Sequence, residues 1–196
     1  ASGARSVMGT AEKVIGIDFK AKMIRKARAN AEKLGYHNVE FRLGDIENVP
    51  VNENVADVVV SNCVLNLVPN KVQAFSETHR ILKPGGHFSV SDIVLKGELP
   101  EGLRTSAEMY AGCVSGAIQK DEYLRMVSAA GFTGIKVQKE RKITIPDEIL
   151  SVYLTTAELE KYKSGELGIY SVTVYGEKPL AREEKAPCCG PACCNQ

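Results

Sequence analysis

The apolar positions of this chain switch between two spacings, and the switching predicts strands that alternate with helices. Val14–Asp18 is a short apolar run that ends in an acid, and residues 19–34 then place apolar side chains at helical spacing opposite lysines and arginines. Gly35 predicts the end of that helix. Val39–Leu43 alternates as a strand, and residues 55–60 are typical of a strand that is buried on both faces of a parallel sheet.

The second half of the chain continues this pattern. Residues 70–82 predict a helix with Val72, Phe75, His79 and Leu82 near one face, and Lys-Pro-Gly-Gly at 83–86 predicts a turn after it. Further elements follow: a strand at 87–95, helices at 107–113 and 120–130, extended runs at 135–145 and 169–175, and a helical or irregular stretch at 147–162. The apolar pattern ends after Lys178, which predicts one domain over residues 1–178 and a flexible cysteine-rich tail over 179–196.

Strands that alternate with helices predict an α/β fold, with a mostly parallel sheet covered by helices on both faces. Ligands of such sheets bind at the carboxyl ends of the strands. Three polar features of this chain fall at predicted strand ends: Asp18, Asp45 and the Ser61-Asn62-Cys63 cluster. We therefore expect a ligand site at that edge.

Composition narrows the classes of function. The 196 residues include 25 lysines and arginines against 24 acids, for a net charge of +1, so no strong field favours nucleic acid or an anionic membrane. No apolar run approaches the roughly 20 residues that span a bilayer. The first ten residues lack the apolar stretch of a secretory signal. We expect a cytoplasmic protein that binds neither nucleic acid nor membranes.

The six cysteines are unevenly placed. Cys63 and Cys113 lie in the body of the chain, and four more crowd its last nine residues. A disulfide scaffold spreads its cysteines along the chain, so this distribution predicts reduced thiols. The three histidines do not form zinc-type spacings with cysteine. Thiolates select soft, thiophilic centres, which suggests chemistry on such an element. Alternatively, Cys63 and Cys113 are small buried hydrophobes.

The acids at the strand ends have two interpretations each. Asp18 could accept both hydroxyls of a ribose, or it is a solvated acid that favours the start of the next helix. Met23 could cover the face of an adenosine, or it belongs to the core. Asp45 could accept from an adenine amine with Ile46 against the ring, or Gly44-Asp45 is an ordinary turn.

In their order along the chain, the segments VIGID, VEFRLGDIENVPV, VVVSNCVLNL, ILKPGGHFSVSDIV and YAGCVSGA resemble the S-adenosylmethionine-dependent arsenite methyltransferases. The resemblance covers roughly residues 12–145. Many class I methyltransferases, including those of quinone biosynthesis, share the acid-ended strand, the Gly-Asp turn and LKPGG. The segments SNCVLNL and YAGCVSGA distinguish the arsenite enzymes from these other methyltransferases, because in the arsenite enzymes each segment supplies a cysteine that binds trivalent arsenic.

The resemblance implies a Rossmann-like class I methyltransferase sheet, mostly parallel with an antiparallel C-terminal strand. It implies that Cys63 and Cys113 bind arsenic and carry catalysis. The implied S-adenosylmethionine site comprises Asp18, Phe19, Met23, Asp45, Ile46 and Asn62. Arsenic held by thiolates keeps a lone pair that attacks the sulfonium methyl in line, so no general base is required.

The resemblance also implies partners: arsenite or a thiol conjugate of arsenite as substrate, and a small-molecule thiol as reductant. The tail cysteines resemble the ends of several family members. They could chelate arsenite, zinc or copper, or form a redox-sensitive end without a role in turnover. These residues are Cys188, Cys189, Cys193 and Cys194.

The chain departs from the family pattern at its N-terminus. The family's first strand and glycine-rich loop should lie directly before VIGID, and residues 1–9 contain glycines without that spacing. A further N-terminal arsenic-binding cysteine has no counterpart. A sheet without its first strand has unpaired edges, which predicts a possible homodimer. Two alternatives to arsenite methylation are a non-catalytic thiol protein that binds arsenite or a soft metal, and a class I methyltransferase for a small organic acceptor.

Overall fold

A computed structural model describes residues 13–111, 114 and 116–180, and these residues form an α/β fold. The strands are β1 (Val14–Asp18), β2 (Val39–Leu43), β3 (Ala56–Asn62), β4 (Leu82–Lys96), β5 (Thr133–Lys142) and β6 (Gly168–Glu177). The helices are α1 (Ala21–Lys33), α2 (Lys71–Ile81), α3 (Glu101–Ala111), α4 (Lys120–Ala129), α5 (Asp147–Tyr153) and α6 (Thr156–Ser164). A single 3₁₀ turn, Leu65–Leu67, lies between β3 and α2.

The strands form two sheets. β1 and β2 pair in parallel, and the larger sheet has the order β3-β4-β6-β5. β3 and β4 are parallel, whereas β6 runs antiparallel to both of its neighbours. The mostly parallel sheet with a reversed C-terminal strand is therefore confirmed. Parallel neighbours place their carboxyl ends side by side, so Asp18 at the end of β1 and Asp45 after β2 lie at the same end of their strand pair.

Within the described residues, no strand joins β1 to β3. The outer face of β3 is correspondingly open, with Val58 45% and Val60 63% exposed. The prediction that this strand is buried on both faces is wrong. The valines of residues 55–60 are typical of a covered strand, but in the described chain the side chains of Val58 and Val60 stay largely open to solvent.

The core lies on either side of the larger sheet. Phe75 of α2 meets Tyr123 of α4 edge to face at 5.4 Å and Phe88 of β4 at 6.2 Å. A second cluster gathers around Leu103 and Leu150 between α3 and α5. Because burying such side chains removes apolar surface from water, these clusters hold the helices against the sheet.

Three local predictions need correction. Residues 83–86 form no turn but an irregular start of β4, since the Gly85 N–H donates to the Lys178 carbonyl and the Lys178 N–H donates to Gly86. Val72 is 48% exposed rather than on the inner face of α2. Phe75 is buried as predicted, and the other buried positions of the helix include Ala74, Thr78 and Ile81. α3 starts at Glu101, before the predicted start at 107.

Two more expectations concern the C-terminal tail and membrane-spanning helices. Residues 181–196 lie outside the described residues, so the division between the domain and its tail stays a prediction. Among the helices that the structure describes, none has the length and apolar character needed to cross a membrane.

Candidate functional site

The carboxyl ends of β1 and β2 lie side by side. The Gly44 N–H donates to the carbonyl oxygen of Asp18 at 3.1 Å, directly beside Asp45. Gly44 must lack a side chain here, because a β-carbon would meet Pro50 at 2.4 Å. The two acids that the sequence singled out are thus brought to one edge of the sheet.

Asp18 accepts one local hydrogen bond and lies beside exposed apolar side chains. Its Oδ1 accepts from the backbone N–H of Lys20 at 2.7 Å, at the start of α1. Phe19 is 69% exposed and Met23 is 46% exposed, so Met23 is not a core residue. Asp18 and Met23 both line a cavity of about 290 Å³ between α1 and the β1–β2 pair. The arrangement offers one carboxylate oxygen and accessible apolar surface beside it.

Asp45 begins a turn that is tied to the next helix. Its Oδ1 accepts from the Glu47 N–H at 2.9 Å. The Glu47 carboxylate in turn accepts from the N–H of Asn70, the N-cap residue of α2, at 2.9 Å. Ile46 is half-buried and packs against the core that contains Phe75. Ordinary turn geometry thus coexists with an exposed carboxylate, and the Ile46 side chain is shared with the core.

Cys63 marks a sharp change of direction after β3. Its φ is 54°, in the left-handed region that residues with a β-carbon rarely adopt, and its N–H donates to the Ser91 carbonyl at 2.7 Å. Asn62, the last residue of β3, is exposed and lies opposite Ser91. The Cys63 side chain is half-buried. Backbone strain of this kind is concentrated at functional sites, and partial exposure suits a thiolate better than a core position.

The segment that precedes α4 packs directly onto the segment that follows Cys63. A β-carbon built at Gly116 would lie 1.8 Å from the carbonyl oxygen of Asn66. Val114 is fully buried, and its carbonyl accepts from the Ala117 N–H at 3.0 Å. Gly116 therefore lies against the backbone of the segment that follows Cys63.

Cys113 itself and the four tail cysteines lie outside the described residues. In the part of the chain that is described, His, Cys, Asp and Glu form no group of three that could hold a metal ion. The relation of the Cys63 and Cys113 sulfur atoms thus stays a prediction, as do the roles of Cys188, Cys189, Cys193 and Cys194.

Sequence reasoning missed a buried polar cluster under the Cys63 segment. Asp92 of β4 is fully buried, and its Oδ2 accepts from the Tyr123 hydroxyl at 2.8 Å. Burial raises the pKa of Asp92 to about 6, although Tyr123 and the nearby Lys71 favour the charged form. Lys71 is 9% exposed, and burial lowers its pKa. The available signal was an acid inside the apolar run FSVSDIVL.

The fold and the site agree with a known class. The profile of the family described as a methyltransferase domain matches residues 2–131. The chain belongs to this family.

Individual relatives are more specific. The chain is 37% identical to an arsenite methyltransferase of Halobacterium salinarum, over 87% of this chain and 41% of the relative. It is 33% identical to an arsenite methyltransferase of Aquipseudomonas alcaligenes, over 77% of this chain and 46% of the relative. The chain thus spans less than half the length of these curated relatives.

A solved structure gives the same picture. The arsenic(III) S-adenosylmethionine methyltransferase of Chlamydomonas reinhardtii superposes with a TM-score of 0.70 at 29% identity, covering 91% of this chain and 59% of that one.

Proposed function

We propose that this chain is part of an enzyme that transfers a methyl group from S-adenosylmethionine to trivalent arsenic held by the thiolates of Cys63 and Cys113. The observation that carries the proposal is the contact between Gly116 and Asn66, because it packs a residue shortly after Cys113 against a residue shortly after Cys63. The relatives named above act on arsenite or arsenic(III) according to their names.

The described residues fit the nucleoside half of the cofactor. A ribose needs a carboxylate at a strand end, and Asp18 has one oxygen beyond the one that accepts from Lys20. An adenine needs apolar surface, and Phe19 and Met23 are both exposed beside that acid. Asp45 and Ile46 follow on the adjacent strand, and Asn62 lies at the end of β3. We assign the nucleoside to this edge of the sheet.

The chemical roles follow from the thiols. S-adenosylmethionine supplies the electrophilic methyl group. Cys63 and Cys113 bind the arsenic as thiolates, and the arsenic retains the lone pair that attacks. The left-handed backbone at Cys63 ends the extended conformation of β3 at this residue. As the arsenic lone pair forms the bond to the methyl carbon, the sulfonium S–CH₃ bond would break, S-adenosylhomocysteine would leave, and arsenic would pass from the trivalent to the pentavalent state. A small-molecule thiol delivers the arsenite as a conjugate and would supply the two electrons that return the methylated arsenic to the trivalent state.

Arsenite titration calorimetry tests the thiol assignment. The intact chain is compared with Cys63→Ser, with Cys113→Ser, and with a control in which all four tail cysteines are serine. Loss of binding in both single variants and its retention in the control support the body site. Binding that survives both single variants and disappears in the control would move the site to the tail.

Cofactor titration separates the alternatives. We expect S-adenosylmethionine to raise the melting temperature, since a ligand that binds only the folded state stabilises it by mass action. Asp18→Asn should weaken this shift, with Asp57→Asn, on the exposed start of β3, as matched control. Arsenite binding without any cofactor-induced shift indicates a thiol-based arsenite-binding protein. If Cys63→Ser and Cys113→Ser both still methylate an organic acceptor, the chain is a class I methyltransferase for a small organic acceptor.

We also propose that the chain associates as a homodimer through the unpaired edges of β1 and β3. Exposed strand edges pair readily with other chains. Within the described residues, each of these strands has a hydrogen-bonded neighbour on one side only. Sedimentation velocity over a range of concentrations tests this, and a stable monomer at all concentrations contradicts it.

A further inference from the structure

The segment that follows the Asp45 turn, residues 47–51, is fastened to α2 by a carboxylate and a guanidinium. Glu77 Oε2 accepts from the Val49 N–H at 2.8 Å. The Arg80 guanidinium donates to both carboxylate oxygens of Glu77, at 2.7 Å and 2.8 Å. It also donates to the carbonyl oxygens of Val51 at 2.9 Å and Val49 at 3.0 Å. The Glu77–Arg80 pair thus holds both backbone polar groups of Val49 and the carbonyl of Val51.

The same face of α2 binds the beginning of this segment. The Gln73 side-chain amide donates to the Glu47 carbonyl oxygen at 3.2 Å, and the Glu47 carboxylate accepts from the Asn70 N–H at 2.9 Å. These helix positions and the Glu77–Arg80 pair recur at intervals of three or four residues, which places them on one helix face. Residues 47–51 therefore lie along that face and are bound to it by hydrogen bonds at both ends.

Apolar burial also holds this segment, but it does not fix its direction. Val49 and Val51 are buried in a small cluster with Ile81. Burial of apolar surface is non-directional, so such a cluster tolerates small shifts of the backbone. A bidentate pair between arginine and a carboxylate fixes the angle as well as the distance. Glu77 is only 7% exposed, and the Arg80 guanidinium holds the pKa of Glu77 below its usual range, so the pair is charged at neutral pH.

The Asp45 turn is continuous with the fastened segment. Asp45 Oδ1 accepts from the Glu47 N–H, and the Asp45 carbonyl oxygen accepts from the Asn48 N–H at 3.1 Å. On the other side of the turn, β2 is held by its parallel pairing with β1. The exposed Asp45 carboxylate and the Ile46 side chain are therefore placed by the strand pair on one side and by α2 on the other.

We propose that Glu77 and Arg80 are positioning residues for the nucleoside site: they fix residues 47–51 on α2 and thereby hold the Asp45 carboxylate in place for an adenine amine. The inference rests on the nucleoside part of the proposed function and not on the identity of the methyl acceptor. Neither residue is assigned a contact with the cofactor. Both act through the backbone of residues 47–51, so their loss should change how well adenine is distinguished from another base.

The test compares two ligands by calorimetry: S-adenosylhomocysteine, and S-inosylhomocysteine, in which a carbonyl oxygen replaces the adenine amine. We expect the intact chain to bind the adenine form about 10- to 100-fold more tightly, the effect of one hydrogen bond to a charged group. Asp45→Ala should abolish this preference, since it removes the acceptor. Arg80→Met and Glu77→Gln keep Asp45, and they should nevertheless reduce the preference by about 10-fold, as when the partner of a ligand-binding group is removed. Arg80→Lys should retain part of the preference, because an ammonium restores the charge without the bidentate geometry.

Two controls separate positioning from loss of stability. Lys83→Met removes the exposed ion pair with Asp57 and should leave the preference unchanged. Ile145→Val weakens the core cluster between α3 and α5, away from the nucleoside site. It should lower the melting temperature and leave the preference unchanged, because a smaller core side chain destabilises the fold without touching residues 47–51.

The outcomes are distinct. If folded Arg80→Met and Glu77→Gln keep the preference of the intact chain, the positioning role is refuted and the nucleoside site stands. If the intact chain binds both ligands equally, Asp45 is not the acceptor and the positioning role is refuted; if it binds neither, the nucleoside site itself fails. An equal loss of preference in Ile145→Val would also refute the positioning role. Where neither variant of the pair folds, Gln73→Ala, which removes an exposed contact to the same segment, should lower the preference, and an unchanged preference there refutes the inference.

Discussion

Gly116 and Asn66 are in such close contact that position 116 has no room for a side chain. A β-carbon there would lie 1.8 Å from the Asn66 carbonyl oxygen and 2.8 Å from its carbonyl carbon. Both neighbours are backbone atoms, so they cannot rotate away. This contact joins Gly116, the last residue of the YAGCVSG segment, to Asn66, the last residue but one of the SNCVLNL segment.

We expect Gly116→Ala to separate these segments. Overpacking of a tight contact typically costs about 1–3 kcal/mol of unfolding free energy, and arsenite affinity should fall as well. Urea unfolding and arsenite calorimetry measure the two effects. Gly168→Ala is the control, because its β-carbon would meet the Tyr170 side chain at 3.1 Å, a contact that a side chain can relieve. Unchanged arsenite affinity in Gly116→Ala contradicts the link.

The left-handed backbone at Cys63 predicts an unusual effect of glycine. A residue with a β-carbon costs about 1–2 kcal/mol in this conformation, and glycine adopts it at no steric cost. Cys63→Gly should therefore be about 1 kcal/mol more stable than Cys63→Ala, although both lack the thiol. Thermal unfolding measures the difference. Asn54→Gly, at φ 55°, is the control. Its gain in unfolding free energy over the intact chain should be smaller than the difference between Cys63→Gly and Cys63→Ala, since asparagine tolerates this region.

Asp92 predicts a pH dependence of stability. Burial raises the pKa of Asp92 in the folded chain to about 6 from 3.8, so the folded state holds its proton more tightly than the unfolded state does. Stability from this group is therefore present below about pH 4 and is lost as the pH rises through about 6, by roughly 3 kcal/mol. The groups that face Asp92 are Tyr123, whose hydroxyl donates to it, and Lys71, whose positive charge favours the ionised acid and so lowers its pKa.

Asp92→Asn removes this dependence. Urea unfolding at several pH values between 4 and 7 should give a difference, intact chain minus Asp92→Asn, that falls by about 3 kcal/mol as the pH rises. Taking the difference cancels the other titrating groups. A difference that is constant or rises with pH would contradict the raised pKa.

The open face of β3 predicts self-association. Val60 is 63% exposed on a strand whose outer edge has no partner among the described residues. Val60→Lys should reduce association in sedimentation velocity, because a charge on an edge strand disfavours pairing with another chain. Val152→Lys on α5 is the control, since Val152 is 72% exposed but lies on a helix. Equal effects of both variants would show that the strand edge is not involved.

The local sequence pattern was sufficient to predict most of the helices and strands. The strand at Val14–Asp18, the strand at Val39–Leu43 and the helix that follows Gln119 were placed within a residue or two. Gly35 and Gly131 end their helices with φ of 64° and 94°, as glycine after a helix predicts. Backbone preference and apolar period act over a few residues, so a short stretch of sequence contains the information.

Which side chains are buried was harder to predict from the sequence. The run at 55–60 has the composition of a covered strand, yet Val58 and Val60 are exposed, because composition does not show what lies across the sheet. The inner face of α2 was misplaced by about one residue for a related reason. A helix rotates to suit the side chains that it packs against, and those come from β4 and α4.

The sequence by itself determined the α/β class, the acid at the end of β1 and the two cysteine-containing segments, since each is a local pattern of residue types. Only the tertiary structure decided that Asp92 is buried against the Tyr123 hydroxyl, that Lys71 donates to the Asn66 carbonyl and that Gly116 meets the same carbonyl. These groups are far apart in the chain. Their contacts come from the way β4, α2 and the segment before α4 pack together, which no local spacing specifies.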